Sequence, residues 1–168
     1  MPMNAINKTA SLILLSLFLI ISNVSVNAQE ITRPIDFFGF EPGADRMLFN
    51  YDPLIQYLQE LEKESDRIHM EEIGTSPMGK PIYIAFISSP ENIARLEELK
   101  AINKSLAMDG DLSDEKQAEL VRDGRVFFLA TLSMHASEVG PSQSAPLLAY
   151  DLVTTDDPDK LSWMERVV

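Results

Sequence analysis

The stretch "RVFFLATLSMHASEVGPSQSAPLLAYDL", Arg125 to Leu152, decides how the rest of the chain is read. From Val126 to Leu132 only Thr131 is polar. A run this short and this apolar predicts a β-strand buried on both faces, inside a helix–sheet–helix sandwich. Its carboxyl end opens into a loop where Gly140 and Pro141 shape a turn, and "SAPLLAYDLVTT" predicts a helix beyond it. The chain has two histidines, and His135 falls in this loop, three residues before Glu138. In an open α/β sheet, functional groups collect just past the carboxyl ends of strands, where loops carry no packing duty.

An imidazole nitrogen and a carboxylate oxygen both suit Zn²⁺, each binding at roughly 2.0 to 2.2 Å. Two intervening residues in a turn let the side chains of His135 and Glu138 converge on one point. A catalytic zinc needs a further protein ligand and a position for water, and that ligand must come from elsewhere. The same spacing also suits a loop histidine hydrogen-bonded to a neighbouring carboxylate, and spacing does not separate the two readings. Other chemistries lack their signatures. There is no H-E-x-x-H and no G-x-S-x-G elbow, and no phosphate-binding or dinucleotide glycine loop. Ser137, Ser142 and Ser144 lie near His135 without an evident acidic orienter for a serine triad. The other histidine, His69, stands between Ile68 and Met70 and reads as an ordinary strand residue.

Working outward, residues 29–50 form an irregular segment, and the three phenylalanines of its stretch "RPIDFFGFEPGADR" are expected to tuck under it. "YDPLIQYLQELEKESD" predicts a helix from the spacing of Leu54, Tyr57, Leu58 and Leu61, with Asp52 as cap and Pro53 at the first helical position. "RIHMEEIG" and "KPIYIAFISS", joined by "TSPMG", predict a hairpin. In its second arm Ile82, Ile84 and Phe86 alternate with Tyr83, Ala85 and Ile87, so both faces expect cover. "SPENIARLEELKAINKSLA" reads as one capped helix and "LSDEKQAELVRDG" as a shorter one beginning near Ser113. After Glu138, Pro141 and Pro146 cannot share the first turn of one regular helix; it starts near Ser144, or at Pro141 with an early bend. "DPDKLSWMERVV" predicts a further helix, and its last residues resemble the start of another strand. The expectation is a fragment, incomplete at the C-terminus.

Lys8, the apolar core Ala10–Ile21 and the small or apolar pair Val26 and Ala28 predict a secretory signal peptide over residues 1–28. About a dozen apolar residues fall short of the roughly 20 needed to span a bilayer. The expected location is therefore secreted or periplasmic, with no stable membrane anchor after cleavage. The absence of cysteine excludes a disulfide framework. A formal charge of −12 argues against nucleic acid as a partner.

"FFLATLSMHASEVGPSQSAPLLAYDL" resembles the zinc-binding segment of zinc carboxypeptidases of the carboxypeptidase A type, where an apolar central strand leads into H-x-x-E and a helix. "EIGTSPMGKPIYIAFIS" is similar to that family's early hairpin, with Lys80 where arginine is commoner, and "YDPLIQYLQELEKES" to the helix that opens its catalytic domain. The resemblance implies an α/β fold, with part of a mixed β-sheet sandwiched between helices, and makes 51–168 the amino-terminal part of the catalytic domain. It implies Zn²⁺ as cofactor, His135 and Glu138 as metal ligands, and a peptide or protein substrate cleaved at a chain end. Glu138 is then a ligand and not the general base. A third ligand, substrate-gripping arginines, a tyrosine and the catalytic glutamate are expected beyond Val168, so the fragment alone is expected to be inactive. Segment 91–124 is longer and more helical than its counterpart in compact family members. Two alternatives share the scaffold: an exported non-catalytic binding module, and a related zinc amide hydrolase or deacylase.

Overall fold

The computed structural model describes residues 30–135 and 137–168; the signal peptide expected over 1–28 lies outside them. Seven helices are found among the described residues: α1 Pro34–Phe38, α2 Tyr51–Glu64, α3 Pro90–Ala94, α4 Leu96–Met108, α5 Asp114–Asp123, α6 Val139–Thr154 and α7 Pro158–Met164. The regular strands β1 Ile68–Thr75 and β2 Pro81–Ile87 form a two-stranded antiparallel sheet.

The apolar stripe of α2 buries Tyr57 and Leu61 completely. They pack with Ile68 of β1 and with Ala149 and Val153 of α6. Burial pushes the Tyr57 hydroxyl above the ordinary tyrosine range; it donates to the Thr32 carbonyl at 2.9 Å. Thr32 in turn donates its N–H and its hydroxyl to the Glu64 carboxylate, both at 2.7 Å. These bonds tie the segment before α1 to the end of α2. Phe37 packs on Tyr57 and Phe38 stacks on Phe49 at 4.3 Å between ring centres.

Asp52 does not cap α2. The helix starts two residues earlier than the capping rule placed it, with Asn50 at the cap position and no side-chain bond there. Asp52 therefore lies inside the first turn, where a negative charge still suits the helix dipole. Both its oxygens accept from Lys80 Nζ at 2.6 Å.

The hairpin forms from residues 68–75 and 81–87 in the register Ile68↔Ile87 to Thr75↔Pro81, with an irregularity between Glu72 and Gly74. The Ser76 hydroxyl accepts from Lys80 N–H at 3.1 Å, and Gly79 N–H donates to the Ser76 carbonyl at 2.9 Å. Gly79 takes φ +76, which only glycine adopts readily. Successive side chains of β2 point to opposite faces. Ala85 and Ile87 join the core under α2 and α6, while Phe86 joins Leu96, Leu99, Phe127 and Val168. The inner end of β2 is covered on both sides.

The helix expected across 90–108 is two. It breaks at Arg95, where φ −114 and ψ 23 leave the helical region, and Arg95 N–H turns tightly back to the Asn92 carbonyl at 3.2 Å. Ser89 caps α3, accepting from Asn92 N–H at 3.3 Å. The buried Asn92 amide donates to the Met164 and Glu165 carbonyls at 2.9 and 3.1 Å, closing the end of α7.

The largest departure concerns Val126–Leu132. It is no buried strand: it makes one isolated parallel bridge, Val126 to Val167. Val126 N–H donates to Arg166 O at 3.2 Å, Val168 N–H to Val126 O at 2.9 Å, and Phe128 N–H to Val168 O at 2.9 Å. The stub at the chain end thus pairs, but on one side only. Val126, Phe128 and Leu129 are 66, 75 and 71 % exposed, and only Phe127 turns inward, meeting Phe86 edge-on at 6.4 Å. Among the described residues no strand lies against the other edge. A buried strand is made by its neighbours, and apolar composition supplies only the capacity for it.

Candidate metal centre

Helix α6 begins at Val139, earlier than either position the prolines allowed. Pro141 then falls in the first turn, where its missing N–H is not needed. Pro146 lies inside the helix and is buried; it offers no N–H to the Ser142 carbonyl. The hydroxyls of Ser142 and Ser144 donate back to the carbonyls of Val139 and Pro141 at 2.9 and 2.8 Å. Gln143 is buried and pairs with the backbone of Phe49 twice, accepting its N–H at 3.3 Å and donating to its carbonyl at 3.1 Å. This clamp seats the loop before α2 on the first turns of α6. Beside it Pro42, Gly43, Leu48, Val139 and Leu147 line an open groove of about 280 Å³.

His135 and Glu138 stand immediately before α6, and the structure brings them together. His135 Nδ1 lies 2.7 Å from Glu138 Oε1. The second carboxylate oxygen accepts the N–H of His135 at 3.1 Å and of Met134 at 3.4 Å. Glu138 N–H donates to the His135 carbonyl at 3.0 Å. Both side chains face solvent, 68 and 48 % exposed. The bond to the His135 ring, followed by the bond to its backbone N–H, holds the Glu138 carboxyl below the usual glutamate value.

One imidazole nitrogen and one acceptor-only carboxylate, converging and open to solvent, match the donors zinc prefers. They could supply two ligands. Among the described residues no group of three or more His, Cys, Asp or Glu could hold a metal ion. The other histidine, His69, makes a pair of its own: its Nδ1 lies 2.8 Å from Glu62 Oε1, and the same oxygen accepts Met70 N–H at 2.8 Å.

Two contributors to the geometry escaped the sequence. Gln143 acts on a residue 94 positions away, and no local pattern announces such a contact. Ser133 takes φ +119 two residues before His135, and no glycine marks the spot.

A family model described as zinc carboxypeptidase matches residues 54–167. The match spans the hairpin, the His135 loop and most of the helix from Tyr51, the stretches on which the resemblance rested, and bears it out. No curated protein and no solved structure matches the chain.

Proposed function

Because the chain belongs to the zinc carboxypeptidase family, we propose that His135 and Glu138 are two protein ligands of a Zn²⁺ ion in a metallocarboxypeptidase acting on the ends of peptide or protein substrates. The observation that supports this is the 2.7 Å approach of Nδ1 to Oε1 in the loop before α6, inside the matched region. A carboxylate committed to the metal is not free to move the proton of water, so Glu138 is assigned as ligand and the general base is a different residue. A third ligand, the base and groups that grip the substrate's terminal carboxylate complete such a site and are assigned to no described residue. When bound, zinc supplies Lewis-acid polarisation of the scissile carbonyl and acidifies its water. The residues of this chain hold the metal and seat its loop on the packed hairpin and α6. With the signal peptide over 1–28, the protein acts in a secreted or periplasmic setting.

The test is zinc content and peptidase activity of the full-length protein beside His135→Ala and Glu138→Ala. Loss of bound zinc and of activity in both is expected. Full zinc content with unchanged kcat/KM in both would remove the assignment. The alternative, an exported binding module on this scaffold, predicts folded wild-type protein without peptidase activity.

A further inference from the structure

Ser133 holds a backbone conformation that its own surroundings do not demand. Its φ of +119 lies outside the small left-handed region open to ordinary residues. The other non-glycine with positive φ among the described residues, Arg46 at φ 60, lies inside that region. No core packing calls for the reversal, since Met134 is 82 % exposed and Leu132 is also exposed. Backbone held in such regions gathers at functional sites, where it aims a side chain.

The local bonds show what is being aimed. Ser133 N–H donates to the Thr131 carbonyl at 2.9 Å, closing a three-residue turn around Leu132. Its hydroxyl donates to the His135 carbonyl at 3.0 Å, the same oxygen that accepts Glu138 N–H at 3.0 Å. One carbonyl therefore ties the Ser133 hydroxyl to the backbone N–H of Glu138. The backbone turns about Leu132, changes the sign of φ at Ser133, and two residues on Nδ1 of His135 meets Glu138.

We propose that Ser133 is a positioning residue for the metal pair: its backbone reversal, more than its hydroxyl, sets the direction of His135. This rests on His135 and Glu138 being metal ligands. Two substitutions separate the contributions. Ser133→Gly keeps the reversal and loses the hydroxyl, because glycine adopts positive φ without penalty. Ser133→Val opposes the reversal, since a β-branched residue is a genuine outlier there.

The experiment measures zinc affinity by chelator competition, and the unfolding midpoint of the metal-free form, on the full-length wild type, Ser133→Gly, Ser133→Val and His135→Ala. Supporting groups around metal ligands typically carry 10- to 100-fold in affinity. Ser133→Val is expected to bind zinc at least about 10-fold more weakly and Ser133→Gly to stay within about threefold of wild type, with metal-free midpoints unchanged. Wild-type affinity in Ser133→Val, equal loss in both variants, or a loss that follows a fall in the metal-free midpoint would overturn the proposal. If His135→Ala loses zinc while Ser133→Val does not, only the positioning role falls. If His135→Ala binds zinc like wild type, the ligand assignment fails and the positioning role fails with it.

Discussion

Two histidines in this protein each meet a glutamate through Nδ1, at 2.7 Å for His135 with Glu138 and 2.8 Å for His69 with Glu62. The atoms are the same and the settings are not. Glu62 comes from α2 and His69 from β1, next to the buried Leu61, Ile68 and Met70. The Glu62 carboxylate also accepts Met70 N–H, covering the edge of β1 that β2 leaves open. That pair staples a helix to a strand over the core. The His135 pair lies within one exposed loop, bonds only its own backbone and joins no two packed elements. Identical donor atoms bridge two packed elements in one pair and converge at the open mouth of a loop in the other.

The sharpest way to break this contrast is to remove each imidazole in the full-length protein. His135→Ala is expected to lower zinc affinity by more than the 10- to 100-fold typical of supporting groups, and kcat/KM with it. His69→Ala is expected to leave both within about twofold, as for surface changes away from a site. Zinc loss in His69→Ala would erase the distinction.

Next in size is the core beneath the staple. Leu61→Ala removes a fully buried side chain and is expected to destabilise the fold by about 2–5 kcal/mol in denaturant unfolding. Glu62→Ala leaves Met70 N–H without its partner and is expected to cost about 1 kcal/mol. Glu138→Ala should leave the metal-free unfolding midpoint where it is. Comparable destabilisation by the two glutamate variants would show that the loop pair is also structural.

The smallest effect is in pH. The Glu138 carboxyl is held below its ordinary 4.5 by the His135 ring, then by the N–H of His135. A depressed acid favours the bonded form of its loop fully above its ordinary pKa and loses that contribution as pH falls through its lower native value. Hydrogen exchange of the His135 amide in the metal-free protein should therefore lose protection below about pH 4.5. Glu138→Gln should flatten that acid limb, while the Met70 amide follows the global stability of the fold in both proteins.

Much of the packed half was legible in the residues. The stripe of α2, the Ser76–Gly79 turn and the alternation of β2 are short-range patterns, and each formed where its period placed it. So did the loop with His135 and Glu138, because three residues of separation in a turn hold two side chains close whatever surrounds them. Val126–Leu132 misled, since seven apolar residues state a capacity for burial while burial itself needs a strand on each edge. Asp52 misled for a smaller reason: a two-residue shift in where α2 begins turned a cap into the partner of Lys80.

The sequence alone determined the local elements, the hairpin and the convergence of one imidazole with one carboxylate, because those depend on periodicities and bonds reaching about four residues. Tertiary structure decided the rest. It set which histidine became a staple, how Gln143 clamps Phe49 from 94 positions away, where α6 begins, and that Ser133 turns its backbone to φ +119. Those outcomes depend on which surfaces meet, and segments distant in the chain meet only once the core has brought them together.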